Sequence, residues 1–400
     1  MKTRAAVLMQ QPGEWEVVEV DLDEPKDGEV LVRMAASGLC HSDDHVAKAD
    51  GKIQHFPYCG GHEGAGVVEA VGPGVRGLRP GDHIVTSFIP SCGRCAFCAS
   101  GHQNLCQHGS LIMGGSQLDG TYRMHYNGRD VARSSLVGTF AEYSVMPEWS
   151  AIRIPEHVPL RSAALLGCGV PTGWGSAVNA AQVKPGQVVI IMGAGGIGIN
   201  AVQGAAHAGA GHVIAVDPVA LKREAAVKLG ATQAFSSIAE AAELARSVTN
   251  GQGADSAIVT VGVLRGEHVG QAFDAVRKAG IVVVTAVAPM AVDSIPVSPF
   301  MLAMFEKRLQ GCLYGSMSPS ADVPRLLAMY ENGQLKLDEL VTTTYSLDQI
   351  NAGYQDMHAG KNIRGVIDFV ALAGSEMAEA PVQEPGGDRT GDGDVVAGSA

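Results

Sequence analysis

Val188-Val189-Ile190-Ile191-Met192 runs straight into Gly193-Ala194-Gly195-Gly196-Ile197-Gly198. Five consecutive apolar residues ending at glycine suit a strand buried on both faces, and the alanine-rich stretch 197–208 suits a helix. In that order they form a phosphate-binding unit. The first glycine makes the tight turn, the second lets the backbone approach a pyrophosphate, and the third lets the helix pack close to the strand. The helix N-terminus then faces the phosphates. In a chain with 51 glycines the pattern alone is weak. Asp217 strengthens it, because it follows the next apolar run, 213–216, nineteen residues after Gly198. A carboxylate there can bond both ribose hydroxyls and repels a 2′-phosphate, which favours NAD over NADP. The plainer alternative is an acidic residue opening a turn before Pro218.

Outward from this unit, 220–229 and 239–248 have helical periodicity, and 257–261 and 281–286 are further continuous apolar runs. Alternating buried strands and helices imply a parallel sheet covered on both faces. The first 170 residues read differently. Short β-runs at 17–20, 30–34, 66–71 and 84–86 are separated by Pro25, Gly28, Pro73, Gly74, Pro80 and Gly81, which suggests a β-rich, barrel-like unit. After 314 the pattern is helical and mixed, ending in an apolar run at 365–370. Residues 373–400 carry six acidic residues against one arginine and little apolar surface, so disorder is expected there. No internal repeat is present.

At 400 residues, two domains are expected. The formal charge of −12 argues against nucleic acid and against anionic lipid as partners. No apolar stretch reaches the roughly 18 residues of a membrane span, and the start at Met1-Lys2-Thr3-Arg4 turns polar too quickly for a secretory signal. A cytoplasmic setting is expected, where eight cysteines are thiols or metal ligands rather than disulfides.

Four of them, Cys92, Cys95, Cys98 and Cys106, have gaps of two, two and seven residues. A tetrahedral Zn²⁺ takes four thiolates at about 2.3 Å, and short loops with such gaps can wrap one ion. The alternatives are ordinary buried or disulfide-bonded cysteines, or an iron–sulfur site. With four protein ligands, such a zinc would be structural. Three more candidates are far apart: Cys40 in Gly38-Leu39-Cys40-His41-Ser42-Asp43-Asp44-His45, His62 in Gly60-Gly61-His62-Glu63-Gly64, and Cys168 in Leu166-Gly167-Cys168-Gly169. Two cysteines and a histidine are one known ligand set for a catalytic zinc that keeps an open position. Taken singly, each is more often a small core residue or a satisfied hydrogen-bonder.

These motifs occur in the order found in zinc-containing medium-chain alcohol dehydrogenases, and the chain resembles that family over roughly residues 1–370. The resemblance implies a GroES-like β-rich catalytic domain at 1–170 plus 315–372 with an inserted Rossmann domain, a doubly wound parallel sheet, at 171–314. It implies two Zn²⁺ per chain, with Cys40, His62 and Cys168 holding the catalytic one and leaving a fourth position for the alcohol. Zinc there acts as a Lewis acid toward the hydroxyl. By the same likeness Ser42 accepts the alcohol's proton and His45 carries it toward solvent. Asp43 orients His62 and Glu63 sits beside the metal. Without that setting, turn or cap chemistry would be the reading of Ser42 and Asp43. For NAD, the family match adds His41 and Arg364 at the pyrophosphate, Lys222 at the adenosine ribose and Thr172 at the nicotinamide. Solvated surface charge is the alternative for Lys222 and Arg364. Cys59 and Cys312 read as buried small residues.

A narrower likeness lies in Asp119-Gly120-Thr121, in 136–140, and above all in 341–357 and 360–365. These segments look like those of nitrosoaniline-dependent alcohol dehydrogenases, nicotinoproteins that retain NAD and reoxidise it in place with an external acceptor, in the cell a mycofactocin-type carrier. A glutathione-dependent formaldehyde dehydrogenase shares the fold and zinc but supplies an arginine soon after the cysteine lobe, and 107–111 has none. A non-catalytic relative would be free to lose Cys40, Ser42, His62 or Cys168, and all four are present. Phe88 and Leu111 fall where the family lines its alcohol pocket, which implies an apolar slot for a primary alcohol. The family forms dimers through the Rossmann edge strand, here near 309–314, so a homodimer or higher homo-oligomer is expected.

Overall fold

Residues 188–192 offer water no polar face, and they form the central strand of a six-stranded parallel sheet. The computed structural model describes residues 1–112 and 114–370, with the backbone alone at Leu111. The acidic stretch 373–400 and any pocket role of the Leu111 side chain lie outside the described residues. Strand order in the sheet is Gln233–Phe235, His212–Val216, Val188–Met192, Ala254–Val259, Val276–Val284, Arg308–Gly311. Met192 is level with Val216 on one side and Val259 on the other. The strand order reverses there, so the carboxyl ends of these strands open a crevice at a topological switch point.

The glycines of the opening motif act at close quarters. Gly193 has φ +98°, and a Cβ on Gly198 would lie 1.7 Å from the Gly193 carbonyl oxygen, so no other residue fits there. Helices Gly198–His207, Ala220–Lys228, Ile238–Ser247 and Gly266–Ala275 connect the strands. Ser237 and Glu240 form a reciprocal capping box that starts the third. Two strands begin earlier than their apolar runs suggest, at Ala254 and Val276, because these two residues pair with each other before the main register begins at Ser256 and Ile281.

The β-rich part consists of two mostly antiparallel sheets. One has Glu29–Gly38 between Gly64–Val71 and Arg364–Asp368, with Val366 opposite Gly38. The chain therefore builds its parallel sheet and then returns to a strand laid down more than three hundred residues earlier. That return brings Arg364 to the end of Glu29–Gly38, where Leu39 N–H donates to the Gly365 carbonyl at 2.9 Å. Among the described residues no helix is long and apolar enough to cross a membrane.

Candidate active site

Strand Glu29–Gly38 delivers Cys40 to the N-cap of the helix His41–Ala47. His62 precedes strand Gly64–Val71, and the pairing is carried past the strand ends by Gly38 N–H donating to the Glu63 carbonyl at 2.7 Å. Cys168 is the N-cap of helix Gly169–Gly175. That helix packs tightly on the dinucleotide-loop helix, since a Cβ on Gly173 would sit 2.0 Å from the Ile197 carbonyl oxygen. The three side chains are buried, and their ligand atoms lie within 4.8 Å of one another. Residues 40, 62 and 168 thus converge on one point.

His62 Nδ1 lies 3.0 Å from Asp43 Oδ2, which leaves Nε2 to face the sulfurs. Asp43 is itself held by Gly61 N–H, donating to Oδ1 at 2.9 Å. Burial alone would depress His62, but Asp43 and Cys40 outweigh it and hold the imidazole well above its ordinary value. A hydrogen bond between the two thiols splits them, Cys40 well below and Cys168 well above the usual thiol range. Two sulfurs shifted in opposite directions beside a histidine shifted upward form a site from which a divalent cation would displace protons on binding.

Glu63 is fully buried and pairs with the Arg364 guanidinium through Oε2, while Gly169 N–H reaches Oε1 at 3.4 Å. Burial lifts its carboxyl to about 7 despite Arg364. Arg364 is not solvated surface charge; it is buried between Glu63 and Gly196, with Nε unpartnered. Cys59 is buried as expected, whereas Cys312 is only half-buried, with Ser176 Oγ 3.5 Å away.

A cavity of about 810 Å³ runs from Cys40 along the glycine loop to Asp217. His41, Gly193, Gly195, Gly196, Ile197, Lys222 and Arg364 line it as well. Gly195 has nothing nearer its Cβ position than Lys222 Nζ at 3.9 Å, so a side chain there would fill the space a phosphate needs. Asp217 is buried, with Oδ2 accepting from Ala194 N–H and Oδ1 from Val219 N–H, both at 2.9 Å. Each oxygen keeps a second lone pair for a ribose hydroxyl. Burial pushes His41 down to about 4, with Lys222 adding to the shift. A second, largely apolar cavity of about 360 Å³ adjoins this one and contains Ser42, His45, His62, Cys168 and Thr172. Thr172 Oγ1 is buried there without a partner. The residues fit a metal and a dinucleotide meeting at the cavity junction.

The apolar slot is lined by Phe88, Ile112, Val287, Leu313 and Tyr314. Phe88 stands edge-on to both His62 and Tyr314. Apart from Phe88 these linings come from segments that carry no motif, so nothing local in sequence marks them.

Away from this site, Cys92, Cys95, Cys98 and Cys106 bring four sulfurs within 4.8 Å of one another. Backbone N–H groups of Cys98, 3.4 Å from the Cys95 sulfur, and of Gln107 pull Cys95 down to about 6, and burial pushes Cys98 up to about 12.

Family models for the alcohol dehydrogenase GroES-like domain and for zinc-binding dehydrogenases match residues 26–156 and 196–332. The chain is 50% identical to an NDMA-dependent alcohol dehydrogenase of Amycolatopsis methanolica, over 92% of this chain and 99% of that one. It is 35% identical to an S-(hydroxymethyl)glutathione dehydrogenase of Paracoccus denitrificans, over 92% and 100%. The crystal structure of benzyl alcohol dehydrogenase from Acinetobacter calcoaceticus superposes with a TM-score of 0.85 at 29% identity, over 92% and 99%. With half its residues shared along nearly the whole length of such a relative, the chain belongs to the zinc-containing medium-chain alcohol dehydrogenases and is an oxidoreductase of that family.

Proposed function

We propose that the chain reversibly oxidises a primary alcohol to its aldehyde with NAD, at a zinc held by Cys40, His62 and Cys168. The observation that carries this is the meeting of those three side chains where the dinucleotide cavity joins the apolar slot. Zinc supplies Lewis acidity toward the hydroxyl and NAD supplies the hydride acceptor. The residues of the chain do the rest. Asp43 fixes the His62 ring, and Glu63 with Arg364 provides a buried charge pair beside the sulfurs. Ser42 and His45, one helical turn apart, take the hydroxyl proton. Asp217 selects NAD and lies with Lys222 at the adenosine ribose, while His41, Arg364 and the glycine loop hold the phosphates and Thr172 the nicotinamide. Phe88 and Tyr314 exclude water from the slot and orient an apolar substrate. A second zinc in the four-cysteine lobe is structural.

The 50% identity to an NDMA-dependent enzyme supports a further step. In this reading NAD stays bound through turnover and is reoxidised in place by an external acceptor, a mycofactocin-type carrier in the cytoplasm. The exposed edge strand Arg308–Gly311 suits pairing with a second copy in a homodimer or larger homo-oligomer. The test is to purify the protein, remove small molecules, measure nucleotide absorbance, and assay alcohols with free NAD and with a nitroso acceptor. Retained nucleotide with turnover only on the acceptor is expected. Accumulation of free NADH would reject retention while keeping the dehydrogenase; no alcohol oxidation with either acceptor would reject both. Across straight-chain, aromatic and secondary alcohols, apolar primary alcohols should be fastest.

A further inference from the structure

The His45 side chain is only 6% exposed and opens onto the two cavities that NAD and the alcohol would fill, so during turnover it would have no direct path to bulk water. Its Nδ1 instead lies 2.6 Å from Asp50 Oδ2, and Asp50 is 30% exposed. On the far side of the ring, Nε2 is 3.1 Å from the Gly262 carbonyl oxygen. The backbone that carries this carboxylate is held from several directions. Ala49 turns the chain through a left-handed conformation, φ 65°, that a non-glycine residue adopts only when its surroundings require it. That turn lets Asp50 N–H donate back to the His45 carbonyl at 2.9 Å. Met290 N–H, from the other side of the slot, donates to the Asp50 carbonyl at 3.2 Å. The Gln11 amide donates to the Val46 carbonyl and, at 2.9 Å, to that of Gly51, and accepts from Ile53 N–H at 2.9 Å. Asp50 also lines the apolar slot together with Ser42 and His45.

We infer that Asp50 is the positioning carboxylate for His45 and the exit through which the alcohol's proton reaches water. This rests on the proposed dehydrogenase reading. On oxidation the hydroxyl would lose one proton through Ser42 to Nε2 of a neutral His45, and the Gly262 carbonyl, which can only accept, would face the N–H so formed. The Nδ1 proton passes to Asp50 Oδ2 and on to water, so one proton enters the ring and one leaves. Water re-entering the slot once the product has left exchanges the ring protons and restores the first tautomer.

The charged groups around the pair leave this role to Asp50. Lys48 is engaged with Asp44 and His358. On the ring's own helix stand His41 and Asp44, the latter paired with His358. From the parallel sheet's side Lys222, Arg265, Glu267 and His268 line the dinucleotide cavity, with Arg265 bonded to His268. Asp43 is committed to His62 and Gly61.

The test uses the full zinc- and NAD-loaded chain, assayed with whichever acceptor supports wild-type turnover. Asp50→Gly should lower kcat about 10²-fold with little change in KM, and formate or acetate should restore it saturably, since the position is open to solvent. Asp50→Asn keeps a hydrogen-bond acceptor but cannot pass a proton. It should remain slow, show a larger solvent deuterium isotope effect than wild type, and gain nothing from formate. Wild-type rates in Asp50→Gly between about pH 6 and pH 9 would overturn the inference, and so would full activity in Asp50→Asn. If the glycine variant does not fold, the asparagine variant decides by rate and isotope effect. Wild-type protein that oxidises no alcohol would instead refute the underlying reading.

Discussion

The two cysteine clusters are alike in chemistry and opposite in construction. The lobe takes all four sulfurs from a single stretch of fifteen residues, 92–106, with backbone N–H groups aimed at them. The other cluster draws two sulfurs and an imidazole from positions spread over 129 residues, 40–168, each placed at a strand or helix end by the wider fold. A cluster built from one loop is closed by its own ligands and stabilises that loop. A cluster assembled from distant elements costs more chain ordering and can leave one side open, where the cavities meet. In the proposed reading, local construction goes with structure and long-range construction with chemistry.

That contrast can be broken by mutation. Cys168→Ala should reduce turnover by at least about 10³-fold while leaving the melting temperature within a few degrees of wild type, measured by steady-state rate and thermal unfolding. Retained turnover would refute the ligand assignment. Cys95→Ala should do the reverse, lowering the melting temperature by roughly 10 °C while the folded fraction keeps most of its rate. A lobe variant that folds normally but loses all activity would erase the distinction.

Asp43→Asn keeps the shape but removes the charge beside His62 Nδ1, and should weaken zinc retention or turnover by about 10–100-fold. The smallest effect expected is on pH. In the metal-free fold His62 holds its proton above the ordinary imidazole value. The stability this contributes is present below that ordinary value and is lost as pH rises through the raised one. A cation must displace the same proton, so zinc loss to a chelator should be faster at about pH 6 than at about pH 8 at this site. Equal loss at both would contradict the electrostatic account.

How much was legible in the sequence follows the same division. The lobe and the strand–glycine–helix unit declare themselves because their partners are local: sulfur to sulfur across one loop, Gly198 against Gly193 across one turn. The coming together of Cys40, His62 and Cys168 is not carried by spacing; only the family likeness suggested it. Arg364 shows why surface charge is a poor default. It lies on a strand that returns to Glu29–Gly38, so burial beside Glu63 depends on a pairing no local pattern encodes. Asp50 was invisible for a related reason, since its approach to His45 needs a left-handed alanine that sequence does not announce. Asp217 was found by spacing, but not the two backbone N–H groups already bound to its oxygens.

Anomalous diffraction from crystals of the zinc-loaded protein, recorded on either side of the zinc absorption edge, bears most directly on the claim that distant ligands build the reactive centre. Two peaks per chain are predicted, one enclosed by Cys92, Cys95, Cys98 and Cys106 and one bounded by Cys40, His62 and Cys168. A single peak in the lobe, with the other three side chains bare, would contradict it.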